Sequence, residues 1–145
     1  MSFKKPEKIE ELLIDSYCIE QLLNLDPNID NILLTGRSGV GKTLICRILK
    51  NKYKKLNYYE DITEDFIPES PSIATSNNIN IQNKNFNKVI EIRPLNKFVL
   101  LKKLIFIYSN SHFDKEKTLY DCINKFYPNI NKIILEYTNE NSILL

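Results

Sequence analysis

Glycine is rare in this sequence and confined to one place: all three glycines of the 145-residue chain lie between positions 36 and 41. They punctuate Gly36-Arg37-Ser38-Gly39-Val40-Gly41-Lys42-Thr43, which fits the pattern GxxxxGK[ST]. Glycines let a backbone curl until successive N–H groups point at the oxygens of one phosphate. A helix that starts at the end of such a loop adds its positive dipole end. In this pattern Lys42 reaches the β- and γ-phosphates as a compact charge, and the Thr43 hydroxyl serves Mg²⁺, which keeps most of its waters. With glycine near 7 % of residues, chance alone would place the pattern in roughly half a percent of chains this long.

The flanks agree with the motif. Ile32-Leu33-Leu34 is a short continuous apolar run, as expected of a strand buried on both faces. Residues 42–54 carry Leu44, Ile45, Ile48 and Leu49 on one helical face. Strand, glycine loop and amphipathic helix together make Gly36, Arg37, Ser38, Gly39, Val40, Gly41, Lys42, Thr43 and Leu44 the candidate nucleotide-binding residues, with Thr43 the candidate metal ligand. The expected ligand is a nucleoside triphosphate.

The rest of the chain divides by pattern. Residues 12–25 read as a helix after a cap at Asp15 or Ser16, stopped by Asp26-Pro27-Asn28. The acidic segment 57–71, with Pro68 and Pro71, reads as a loop or weak strand. Ile73-Ala74-Thr75 and Val89-Ile90-Glu91-Ile92 are strand candidates, joined by an Asn-rich stretch expected to be an exposed connection. After Asn96 the pattern turns helical over 97–109, 115–126 and 129–138, with Asn96, Asp114 and Asn129 as N-caps. Phe98, Leu101, Leu104, Ile105 and Tyr108 form an apolar stripe expected to be core, and Phe106 and Ile107 leave room for a protein–protein face. The domains expected are an α/β part over 1–94 and a helical part over 95–145.

Several classes fall away. The net charge of +2 is too small to mark the whole chain as a nucleic-acid binder. Lysines 50, 52, 54 and 55 suit the negative end of the preceding helix, with phosphate contact the minority reading. Cys18, Cys46, Cys122 and the single histidine, His112, show neither disulfide-framework nor zinc spacing. No apolar run approaches the roughly 18 residues of a membrane span, and the start lacks a signal-peptide core. The expected setting is a cytoplasmic or nuclear one, a virus-infected host cell included, since abundant Lys, Asn and Ile suit an AT-rich genome. No Asn-Lys-x-Asp element is present to read guanine, and three arginines are few for a small-molecule kinase.

Four stretches in order resemble the AAA+ ATPases, and within them clamp-loader subunits of the replication factor C type. KKPEKIEELLIDSYCIEQLLNL is similar to the family's opening segment, and NILLTGRSGVGKTLICRILKNKY to its strand, P-loop and helix. SIATSNN is similar to the sensor-1 strand, and VIEIRPLNKFVLLKKLIFI to the strand and helix that open the helical lid. The resemblance implies a trimmed parallel P-loop NTPase sheet of three to four strands, helices on both faces, followed by a small helical lid. Its P-loop, sensor-1 and final strands should be adjacent. It implies ATP and Mg²⁺ as ligands, and as partners other AAA+ or replication subunits, with DNA reached through the assembly. Lys42 and Asn77, the sensor-1 residue, are then candidate catalytic residues, and Lys132 stands at the sensor-2 position. The segment that carries Walker B in the family is shortened; Glu60 and Asp61 after Tyr58-Tyr59 are the nearest acids and join the candidate catalytic residues, with Glu64 and Asp65 next. No arginine-finger motif precedes Val89, where the chain reads Asn85-Phe86-Asn87-Lys88. The alternatives are a degenerate nucleotide-binding interaction protein without turnover and a small P-loop kinase.

Overall fold

Three consecutive residues of the chain, Ile32, Leu33 and Leu34, are fully shielded from solvent, each contributing roughly 1.5–3 kcal/mol of burial. They form the heart of β1 (Asn31–Thr35) in a computed structural model that describes residues 6–107 and 116–143. β1 is followed by α2 (Lys42–Lys52), β2 (Asn57–Tyr59), β3 (Ser72–Ser76) and β4 (Lys88–Glu91); α1 (Ser16–Leu23) precedes it. The four strands form one sheet in the order β2-β3-β1-β4, and every pairing is parallel. Register runs Asn31↔Ser72 and Ile32↔Lys88 about the central strand, and Asn57↔Ser72 at the edge. This is the trimmed α/β parallel sheet, and a helical region follows it.

Asp15 caps α1, its carboxylate accepting from the Tyr17 N–H at 2.8 Å. Leu12–Ile14 therefore lie before the helix, in extended chain that bridges antiparallel from Ile14 to Pro94. α1 packs against β4, and α2 against β3 and β2. Their buried residues Cys18, Leu22, Ile45, Cys46 and Leu49 share one cluster with Ile32, Leu34, Ile73 and Ile90, so both helices cover the same face. Leu33 and Ala74 point to the other face, where Ile62, Ile81 and Phe86 from the connecting segments cover them. Handedness accounts for this. The path β1–α2–β2 runs one way across the sheet, whereas β2→β3 and β3→β4 run back; right-handed crossovers then put those returns on the opposite face. The segments 60–71 and 77–87 make these returns without a helix.

The Asn-rich connection is exposed at most of its positions, as expected, but three of its residues turn inward. Ile81, Asn83 and Phe86 are buried, and the Asn83 amide donates to the carbonyls of Thr63 (3.1 Å) and Phe66 (2.8 Å), pinning one return segment onto the other.

The C-terminal part is α3 (Lys97–Ile107), α4 (Glu116–Phe126) and α5 (Ile130–Ile143). Leu100 and Leu104 of α3, Leu119 and Ile123 of α4, and Ile130, Ile133 and Tyr137 of α5 form a second core, joined by Leu13 and Leu95. Asn96 caps α3 through the Val99 N–H (3.0 Å), and Asn129 caps α5 through the Lys132 N–H (3.1 Å). The helix face turned inward is Leu100–Leu104, so Phe98 is 77 % exposed rather than core. Tyr108, His112 and Asp114 lie outside the described residues. No helix among the described residues is long and apolar enough to cross a membrane.

Candidate functional site

The loop between β1 and α2 holds Gly36, Gly39 and Gly41 at φ of 146°, 84° and 113°, the region that favours glycine. Two of them also need the missing side chain. A Cβ on Gly36 would stand 2.9 Å from the Ile92 carbonyl oxygen, and one on Gly39 would meet the Asn129 Oδ1 at 2.0 Å. The loop thus lies against the end of β4 on one side and the first turn of α5 on the other. The Asn131 N–H donates to the Gly39 carbonyl at 3.3 Å.

Lys42 opens α2 yet is only 7 % exposed. Its ammonium folds back to donate to the carbonyls of Gly36 and of Arg37 (2.9 Å), closing the loop on itself. Burial pushes this ammonium below the ordinary lysine value, and the negative charge of Asp61 opposes the shift. The first N–H groups of α2, as at any helix start, have no intrahelical partner.

In front of the loop opens a cleft of about 440 Å³, lined by Ser38, Gly39, Gly41, Lys42, Thr43 and Leu44. Facing them are Glu60 and Asp61, which follow β2, Thr75 and Asn77 from the end of β3, and Asn131 from α5. The cleft therefore lies at the carboxyl ends of the parallel strands, where open α/β sheets take their ligands. Glu60 and Asp61 come here because the edge strand β2 pairs with β3 only as far as Tyr59↔Ala74 and then turns. At the turn Asp61 adopts φ 50°, its N–H donating to the Thr75 Oγ1 at 3.0 Å, while the Ile62 N–H donates to the Thr75 carbonyl, also at 3.0 Å.

On the outer flank of Thr43 the Tyr58 hydroxyl is buried with no hydrogen-bond partner among the described residues. Burial raises its phenol, and Thr43 and Glu60 lie within its influence. Cys46 is pushed up to about 12 by burial, with the Glu60 charge adding to the shift, so it is an inert thiol rather than a nucleophile.

The sequence candidates separate as follows. Ser38, Gly39, Gly41, Lys42, Thr43, Leu44, Glu60, Asp61 and Asn77 meet in the cleft. Gly36, Arg37 and Val40 line a second hollow of about 490 Å³ on the far side of the loop, with Ile79, Ile92, Pro94 and Tyr127. Lys132 lines neither; its ammonium sits 5.4 Å from the centre of the Phe126 ring. Thr75 and Asn131 are cleft residues that sequence reasoning passed over.

The donor set suits a magnesium nucleotide. A hydroxyl and one or two carboxylates beside a glycine loop match a cation that takes few protein ligands and shares phosphate oxygens. Among the described residues no three His, Cys, Asp or Glu side chains cluster to hold a metal by themselves. No protein-family model matches the chain, and no curated protein matches it.

Proposed function

We propose that the chain binds ATP with Mg²⁺ in the cleft before the glycine loop. The observation that carries this reading is the meeting of Lys42 and Thr43 with Glu60, Asp61 and Asn77, residues from three separate parts of the chain, at the ends of adjacent parallel strands. The triphosphate would lie along the loop, with Lys42 turning from its own loop carbonyls toward the β- and γ-oxygens. Mg²⁺ held there would supply charge that neutralises the triphosphate. Thr43 and the acidic pair are the groups of this chain that would hold it, and Asn77 would stand by the terminal phosphate. The hollow beyond Gly36 and Val40, walled by Ile79, Ile92 and Tyr127, offers apolar surface for the base.

The finer reading is an AAA+-like subunit of a clamp-loader type, working with other AAA+ or replication subunits and reaching DNA through that assembly. Its support is the adjacency of the 72–76, 31–35 and 88–91 strands, which the sequence resemblance requires, and the helical region packed beside the loop. Exposed Phe98 and Phe106 on α3 suit a subunit face. Lys42 is the one cation among the described cleft residues, which favours binding with weak or partner-dependent hydrolysis.

Thermal unfolding tests the reading. Mg-ATP at about 100 times its Kd should add about 2.7 kcal/mol of stability, a rise of roughly 5–10 °C. Lys42→Ala should remove most of the rise; an equal rise in both proteins, or none in either, overturns the reading.

A further inference from the structure

The turn that delivers the acidic pair is not held by the sheet ladder. β2 and β3 pair through Tyr59↔Ala74, and the next residue of β3, Thr75, receives two successive N–H groups from the turn instead. Its backbone carbonyl takes Ile62, as any residue could. Its side-chain oxygen takes Asp61, which no apolar side chain could do at this buried position. Asp61 meanwhile occupies the left-handed region, which aspartate adopts more readily than most non-glycine residues. Thr75 also lines the cleft, so the hydroxyl that fixes the Glu60–Asp61 peptide stands in the same space as the two carboxylates and Lys42.

From this geometry we infer that Thr75 is a positioning residue for the site: its hydroxyl sets the peptide between Glu60 and Asp61 and thereby holds the acidic pair across the cleft from Lys42 and Thr43, in place to support a divalent cation on a bound nucleotide. The inference rests on the nucleotide reading above, since the cation it concerns is the one carried by the triphosphate. Groups that orient a metal's ligands typically change metal affinity by about 10- to 100-fold when removed.

The test uses the full chain and two substitutions, Thr75→Val, which keeps the branched shape and loses the oxygen, and Thr75→Ser, which keeps the oxygen. Amide exchange followed by NMR reads the contact without any ligand. In Thr75→Val the Asp61 amide should exchange about tenfold faster, the worth of one hydrogen bond, while the Ile62 amide stays protected; Thr75→Ser should match wild type at both. ATP affinity is then measured by calorimetry with Mg²⁺ and with EDTA. Thr75→Val should weaken binding about tenfold with Mg²⁺ and leave the metal-free affinity unchanged, and Thr75→Ser should restore the difference. Equal losses with and without Mg²⁺ would mean a merely structural threonine and overturn the inference, as would an Asp61 amide indifferent to Thr75→Val. Wild type that binds no ATP in either buffer would remove the nucleotide reading and this role with it; wild type that binds normally beside an unaffected Thr75→Val removes the role alone.

Discussion

Replacing Gly39 by alanine probes the contact between the loop and α5 directly. Two costs arise from the geometry. At φ 84° an alanine gives up roughly 1 kcal/mol to the left-handed backbone. Its Cβ would also fall 2.0 Å from the Asn129 Oδ1, so that side chain must swing away. Asn129 is not free to move without loss, because the same oxygen caps α5 at the Lys132 N–H. Losing a cap of this kind costs about 1 kcal/mol. Gly39→Ala should therefore destabilise the protein by about 2 kcal/mol, or roughly 4–8 °C in Tm. Asn129→Gly alone should cost only about 0.3 kcal/mol, since glycine is a tolerable cap. In the double variant no side chain remains to collide, and only the backbone strain and the weaker cap are left. The cycle should then show a coupling of about 1 kcal/mol in favour of the double variant. Urea unfolding of the four proteins measures it. Additive losses, or a Gly39→Ala protein as stable as wild type, would refute the packing of α5 on the loop.

Acid should unfold the protein partly through Asp30. Burial raises this carboxyl, but the Asp26 N–H and the Asn87 amide, each at 2.9 Å, outweigh that and leave it below the usual aspartate range. A depressed value contributes stability above the unfolded pKa near 3.9, lost as pH falls through the folded value. Asp30→Asn should thus cost about 1–2 kcal/mol at pH 7 and show a shallower decline of Tm below about pH 4. Turnover should be slow in the isolated chain, because no arginine lines the cleft among the described residues and an arginine supplied across an interface is worth about 10³–10⁵ in rate where one is used. Phosphate release by purified protein should stay well under about 1 s⁻¹; faster release abolished by Lys42→Ala would contradict this.

The strand–loop–helix unit was legible because local chemistry specifies it: an apolar run, three glycines and Lys42-Thr43 leave little else for 31–52 to become. The caps Asp15, Asn96 and Asn129 were legible for the same reason. β2 was visible only as a weak possibility. Its three residues, Asn57-Tyr58-Tyr59, are half-buried and carry no alternation, so their strand state comes from pairing with Ser72–Ala74, a partner distant in sequence. Thr75 was visible as a strand residue, but its hydroxyl gains meaning only from the Asp61 N–H on the neighbouring chain segment. The C-terminal helix shows how fine the limit is. Asn131 faces the cleft while Lys132, one residue on and about 100° around the helix, turns to Phe126. The burial of Asn83 was hidden because asparagine reads as loop, and only the carbonyls of Thr63 and Phe66 make it an interior residue.

A crystal structure with Mg²⁺ and a non-hydrolysable ATP analogue decides whether the glycine loop takes a triphosphate. The phosphates should be cradled by the N–H groups of the loop, with the Lys42 ammonium turned toward them and Mg²⁺ held by the Thr43 hydroxyl and the Glu60–Asp61 pair. A loop left empty at saturating analogue, with Lys42 still bound to the Gly36 and Arg37 carbonyls, would contradict this reading.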